Sequence, residues 1–182
     1  MRKPTLRLHL REQTAAVHAE LDRTIGVLDS IQSYRRYLRN LLACREPAEG
    51  VLDDAVFPDW FGGWRPRRIA RVIRADMADL GVDAPGRPGR DLCLVDQARN
   101  PSGLLGMLYV LEGASLGAKL IYQRAVCLGL SGTYGARHLA MQADDKDNWR
   151  RFLEILEGPG IDADVAVRAS SSAFALAQRP LG

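Results

Sequence analysis

Three histidines are the first residues to weigh for chemistry in this 182-residue chain. His9 and His18 stand nine residues apart, half a turn out of phase on a helix, so they cannot share a metal ion. His138 follows a glycine-marked turn and is expected at the surface. The Glu-x-x-His pairs of helical di-iron sites are missing, and no cysteine–histidine spacing suits a four-ligand zinc site or an activated nucleophile. What remains is His18, alone beside the apolar stripe of one helix. Its commoner role would be a hydrogen-bonded structural residue; its chemical role would be a single axial bond to haem iron. Arg11 lies two turns before it, where a cation can pair with a haem propionate. Asp22 lies one turn after it, placed to accept a hydrogen bond from the imidazole nitrogen that does not face the metal. Singly, Arg11 and Asp22 read as a solvated helix face; together with His18 they point to haem.

A flat ligand needs a second wall. Leu104 to Arg124, LLGMLYVLEGASLGAKLIYQR, is apolar yet rich in glycine. Gly103, Gly106, Gly113 and Gly117 fall on one side of a helix, and each interior glycine costs roughly 0.5–1 kcal/mol relative to alanine. Such a face serves either close helix packing or the admission of a flat guest. Asn100 and Pro101 form a cap and first turn, and Gly129 is the expected end, which predicts one long central helix.

The remaining elements follow from apolar spacing. A first helix runs from Leu6 to about Ile25, with Leu6, Leu10, Val17 and Leu21 as its stripe. Ser30 caps a second from Ile31 to about Cys44; Pro47 breaks or restarts it, and Val51 to Phe57 adds a turn or two. Pro66 opens a helix that reaches Leu80 and stops at Gly81. Ala84 to Arg90 is a loop, and Gly132 to Gly135 a turn. Asp144 or Asp145 caps a helix through Trp149, Phe152, Leu153 and Leu156, and Asp162 opens the last helix. With no convincing strand and no internal repeat, the expected fold is all-α, a single domain over residues 1–182.

Composition is ordinary for a soluble globular chain, at 47% hydrophobic and 26% charged residues. A net charge of +3 favours no partner class. Cys44, Cys93 and Cys127 are odd in number and lack CxxC spacing, which suits reduced, mostly buried thiols in the cytoplasm. The start, MRKPTLRLHLREQ, has no continuous apolar core and does not read as a signal peptide. Glu112 and Lys119 interrupt the central segment, so it is not expected to span a membrane.

Two stretches carry a family likeness. TAAVHAELD, Thr14 to Asp22, resembles the proximal helix of the heme oxygenases, and LYVLEGASLGA, Leu108 to Ala118, resembles their distal helix in the bacterial branch that accompanies bacteriophytochromes. The likeness runs on to the Ser170–Phe174 region. It implies a heme-oxygenase-like helical bundle with haem sandwiched between a proximal and a glycine-rich distal helix. It further implies His18 as proximal iron ligand, Gly113, Gly117 and Ser115 as distal catalytic positions, and Arg11, Thr14, Tyr109 and Phe174 as haem contacts. The implied reaction opens haem with O2 and electrons from an external reductase or ferredoxin, giving biliverdin, carbon monoxide and iron, with a bacteriophytochrome as one recipient of the bilin. Such chemistry suits these residues: a neutral histidine leaves iron open to O2, and bare glycine backbone lets the other helix approach the ring closely. Water held by backbone groups could bring protons. On a straight helix, however, Ser115 points away from Gly113 and Gly117 and reaches the pocket only if the helix kinks.

Arg65, Arg67, Arg68, Arg71 and Arg74 form a basic stretch after Trp64. It reads as a solvated face, as a docking surface for an acidic electron donor, or as phosphate contacts of a DNA-binding regulator. Few base-reading residues accompany it, and no nucleic-acid role is expected. A non-catalytic haem or bilin binder of the same fold would use the same His18 and glycine groove.

Overall fold

The computed structural model describes residues 5–86, 89 and 91–178. The start at 1–4, the C-terminal residues 179–182 and positions 87, 88 and 90 of the expected loop lie outside the described residues. Among those described there is no β-strand; the elements are α1 (Leu6–Ile25), α2 (Ile31–Val51), α3 (Ala70–Asp79), α4 (Leu92–Ala98), α5 (Pro101–Gly113), α6 (Ser115–Cys127), α7 (Arg137–Asp144), α8 (Lys146–Leu156) and α9 (Ala163–Ala177), with a 3-10 turn at Asp59–Phe61.

Most helix starts are written locally. Thr5, Ser30, Asp91, Asn100, Asp145 and Asp162 each accept a backbone N–H of the first turn, and Ser30 with Ser33 forms a reciprocal capping box. Gly26 at φ 65° ends α1, and Gly81 at φ 60° follows α3, both in the left-handed region that favours glycine.

Three expectations are corrected. Helix α2 does not break at Pro47 but continues to Val51, and no helix covers residues 52–57. Pro47 lacks an N–H for the Ala43 carbonyl, yet it is buried and the apolar contacts of Ala48, Val51 and Leu52 carry the helix past it. Helix α3 starts at Ala70, four residues beyond Pro66. Its start has no local side-chain cap; instead the Glu49 carboxylate accepts Ile69 N–H at 2.9 Å and Ala70 N–H at 3.1 Å. The continuation of α2 through Pro47 thus delivers the cap of α3. Finally, the central segment is two helices, α5 and α6, meeting at Ala114. Ala114 keeps helical angles (φ −58°, ψ −25°), so the interruption is a local break and not a reversal.

Two apolar cores share the helices. One gathers α5, α8, α9, α4 and the C-terminal half of α2 around Leu104, Leu105, Leu108 and Phe152. The other gathers α3, α6, α7 and the N-terminal half of α2 around Tyr34, Leu38, Ile73 and Met77. Helix α1 rests on α9 and contributes only Leu10 and Thr14 to the buried set. Pro101–Cys127 is long and apolar enough to cross a membrane, but α5 is enclosed by the first core and α6 buries Ala118 and Ala125 in the second.

His138 is not at the surface. It is fully buried, with Nδ1 2.7 Å from Asp76 Oδ2 and Nε2 3.4 Å from the Tyr37 hydroxyl. Asp76 also accepts Arg137 N–H at 3.0 Å and Arg137 Nη1 at 3.1 Å, so its charge is already met by a guanidinium. Burial therefore holds His138 below the usual imidazole range despite Asp76, which favours the neutral ring in the folded chain. In the unfolded chain it takes up a proton below about pH 6.5. The unfolded state then binds the extra proton, so stability contributed here is present above that pH and is lost as pH falls. Relative to His138→Asn, which keeps a donor toward Asp76, the wild-type chain should lose unfolding free energy between pH 7.5 and pH 5, up to a limit of about 2 kcal/mol. Urea melts at the two values measure this, and parallel pH dependence in the two proteins would refute a neutral buried imidazole.

Candidate functional site

Helices α5 and α1 both lie on α9, and this common floor brings the candidate residues together. Helix α5 approaches α9 so closely that a Cβ at Gly106 would stand 2.0 Å from the Ala166 carbonyl oxygen. Ser170 on α9 returns a hydrogen bond to the Gly106 carbonyl at 2.8 Å. Gly103 is pressed in the same way on the Gln97 carbonyl. These two glycines serve packing. Gly113 and Gly117 do not: an added Cβ at Gly113 meets only the Trp149 ring at 3.8 Å, and one at Gly117 meets nothing within 4 Å. The row of glycines divides into a packed half and an open half.

Around the open half, α6 leaves large apolar side chains exposed, with Leu116 at 63% and Leu120 at 57%. On α1, His18 is 58% exposed, and its Nδ1 lies 3.1 Å from Asp22 Oδ2. That bond leaves Nε2 as the free nitrogen. Phe174 of α9 is buried and meets the His18 ring edge-on, with centroids 6.0 Å apart. The imidazole is thus held by a carboxylate on one nitrogen and by an aromatic edge, with its second nitrogen unused.

Tyr109 joins the two walls. It stands near Thr14, Arg7 and Arg11 of α1; burial raises its pKa, while the charges of Arg7 and Arg11 oppose the rise. Thr14 is buried and donates to the Leu10 carbonyl at 2.8 Å. Arg11 is exposed beside this pair, free to meet an anion. His18 comes one turn after Thr14 on α1, and Gly113 one turn after Tyr109 on α5. Ser115 stands at the break between α5 and α6, where its hydroxyl donates to the Glu112 carbonyl at 2.6 Å. The helix is interrupted at Ala114 with its helical angles kept, and the Ser115 hydroxyl proton is used within the helix.

The basic stretch is less free than its sequence implies. Arg67 pairs with Asp145, Arg68 with Asp53 and Arg74 with Glu46, while Arg65 lies over the Phe57 ring at 4.5 Å. Only part of it belongs to a helix, since α3 begins at Ala70. The cysteine expectation is corrected too: Cys44 is buried, with its thiol pushed up to about 11 by burial, but Cys93 and Cys127 are exposed.

Residues without a motif complete the neighbourhood. Arg45 on α2 is buried, with Nε 3.8 Å from Glu49 Oε1. Glu112, next to Gly113, is buried as well, and burial raises the pKa of Glu49 and of Glu112 against the pull of Arg45. Arg45 and Glu49 stand one turn apart on α2, the spacing of a helical ion pair, whereas the partners of Glu112 come from the segment before α3 and from α8. Charged residues that directly follow a core position on a helix were the available signal: Arg45 follows buried Cys44, Glu49 follows buried Ala48, and Glu112 follows buried Leu111.

The two glycine classes predict opposite responses. Gly106→Ala should destabilise the chain by about 3 kcal/mol or prevent folding, because backbone must move. Gly117→Ala should stabilise the ligand-free chain by about 0.5–1 kcal/mol. Thermal melts of the two variants check this, and a destabilised Gly117→Ala would show that the open wall is already in use for packing.

Comparison with known proteins follows the same lines. No family model matches the chain. It is 33% identical over 118 residues to heme oxygenase PigA of Pseudomonas aeruginosa, a match covering 63% of this chain and 58% of that protein. It is 36% identical over 107 residues to a heme oxygenase of Xanthomonas campestris pv. campestris, covering 54% of this chain and 59% of that protein. The chain therefore matches less than two thirds of the length of either relative. Its fold is that of the NO- and CO-bound heme oxygenase from Neisseria meningitidis, with a TM-score of 0.75 over 96% of this chain and 88% of that one, at 23% identity.

Proposed function

We propose that this chain is a heme oxygenase, cleaving haem to biliverdin, carbon monoxide and ferrous iron with O2 and electrons from a reductase or ferredoxin. The observation that carries the reading is His18: an exposed imidazole with Nδ1 engaged by Asp22, Nε2 free, and Phe174 against its edge. That arrangement suits an axial iron ligand, because the Asp22 bond fixes the tautomer and the ring orientation. Tyr109 of α5 stands near α1; beyond it, a Cβ at Gly113, at the end of α5, would meet only the Trp149 ring at 3.8 Å, and one at Gly117, on α6, would meet open space.

Haem, as substrate, supplies both the iron that activates O2 and the carbon that is attacked. The residues of the chain bind and orient. His18 Nε2 would take one face. Gly113 and Gly117 would bring backbone against the other, where side chains would stand off the ring. Exposed Leu116 and Leu120 would exclude water, and Arg11 with Tyr109 would fix the propionate edge and so the carbon presented for cleavage. Ser115, its proton given to the Glu112 carbonyl, keeps only acceptor capacity for a pocket water.

The likeness of LYVLEGASLGA supports a bacterial, phytochrome-associated enzyme that passes bilin to a bacteriophytochrome, acting as one domain in the cytoplasm. For the electron donor, charge supplies less than the arginine count suggests, since Arg67, Arg68 and Arg74 are already paired.

Titration of the protein with hemin, followed by a reductase system in air, tests the reading. The expected course is a sharp Soret band that His18→Ala abolishes or shifts, giving way to the broad red absorption of biliverdin. A Soret band that survives turnover conditions would leave a haem or bilin binder, and no Soret band at all would end the assignment. Arg11→Ala should retain haem binding and change the biliverdin isomer ratio; an unchanged ratio would remove Arg11 from the propionate edge.

A further inference from the structure

The open glycines stand at a break in a helix, and the break is held from outside the groove. Glu112, the last residue before Gly113, is 2% exposed and turned away toward other elements. Its Oε1 accepts Arg67 N–H at 2.9 Å and its Oε2 accepts Asn148 Nδ2. Asn148 is itself oriented, because its Oδ1 accepts the Trp64 indole N–H at 2.9 Å. Its backbone N–H donates to Asp145 Oδ1 at 3.0 Å, and Asp145 pairs with the Arg67 guanidinium. Glu112, Arg67, Asp145 and Asn148 thus form a closed ring of interactions. It joins α5, the segment before α3 and the first turn of α8. The next residue of α8, Trp149, stands on the side of Gly113 where an added Cβ would meet its ring at 3.8 Å, and packs beside Tyr109, with centroids 6.0 Å apart. On the main chain, the Glu112 carbonyl receives the Ser115 hydroxyl across the break.

A buried carboxylate is a costly anchor for a helix end, and an apolar residue would suit the adjoining core better. Its use here has a geometric result. With its side chain fixed to two other elements and its carbonyl to Ser115, Glu112 leaves the backbone at 113–115 one position. We propose that Glu112 is a positioning residue: clamped by Arg67 and Asn148, it fixes the break at Ala114 and thereby how closely Gly113 and Gly117 stand over the haem. The role rests on the haem-cleaving reading above.

The polarity of the ring makes the proposal testable. In Glu112→Gln, the amide oxygen can still accept from Arg67, but the amide NH2 then faces the Asn148 NH2. Asn148 cannot turn over without losing Trp64, so donor meets donor. Adding Asn148→Asp supplies a carboxylate that accepts both the Trp64 indole and the introduced amide, and returns one negative charge to the ring. It also places that charge in the first turn of α8, where it is tolerated.

The measurements are Tm of the haem-free chain, the C–O stretching band of the ferrous CO complex, and the biliverdin isomer ratio. E112Q should lower Tm by roughly 4–8 °C, shift and broaden the C–O band, and alter the isomer ratio. The double variant E112Q/N148D should restore all three toward wild type. Where E112Q does not fold, recovery of fold and wild-type band in the double variant supports the role. A lowered Tm with the C–O band and isomer ratio unmoved would make Glu112 a structural anchor only and overturn the positioning role. A double variant no better than E112Q would overturn the clamp. A wild-type chain without a Soret band would instead overturn the haem reading, and the positioning role with it.

Discussion

The close approach of α5 to α9 is the constraint from which the remaining geometry follows. With no side chain at Gly106, the helix backbones meet where a single Cβ would strike the Ala166 carbonyl, and Ser170 secures the contact by bonding the Gly106 carbonyl. Dispersion contacts at that separation reward packing along both helices, and Leu104, Leu105 and Leu108 are buried as a result. Because α1 lies on the same α9, the depth of this contact sets how near Tyr109 stands to α1. Had α5 stood one methyl group further away, the two walls of the candidate site would be held by different spacing.

A second constraint is electrostatic. Between the two apolar cores runs a seam of buried polar groups: Arg45, Glu49, Asp76, Glu112 and His138. Each is an expense in a low-dielectric interior unless partnered. Arg45 lies against Glu49 one turn along α2, and the other partners come from elements distant in sequence. Glu49 caps α3, Asp76 holds Arg137 and His138 of α7, and Glu112 binds Arg67 and Asn148. Apolar packing alone would allow the helices to slide; paired charges allow few registers. The open half of the glycine row sits beside this seam at Glu112, which joins the groove to the part of the fold with least freedom.

Much of the architecture was legible before any coordinates. The last two helices start at Asp145 and Asp162, as their capping chemistry indicates, and α1 spans Leu6–Ile25 as its stripe indicates. The pairing of His18 with Asp22 follows from one-turn spacing. The failures have a shared origin. Pro47 reads locally as a breaker, yet packing around Ala48 and Val51 carries the helix on. The helices α4 and α7 are short, and short segments lack the turns that make periodicity visible. His138 looks like a turn residue next to glycines until Asp76, 62 residues away, closes on it.

The sequence by itself determined the class of the fold, many segment ends marked by caps and glycines, and the one-turn spacing that sets Asp22 beside His18. These are properties of residue type and spacing along a helix, which are local and survive without a tertiary context. What only the tertiary structure decided is which glycines are free. Gly103, Gly106, Gly113 and Gly117 share a helical face and are indistinguishable by spacing, but two press on carbonyl oxygens of other segments and two face space. The difference depends on what stands opposite, and a one-dimensional pattern carries no record of that. The same holds for Arg67, Arg68 and Arg74, whose charge in sequence is cancelled by carboxylates brought from elsewhere.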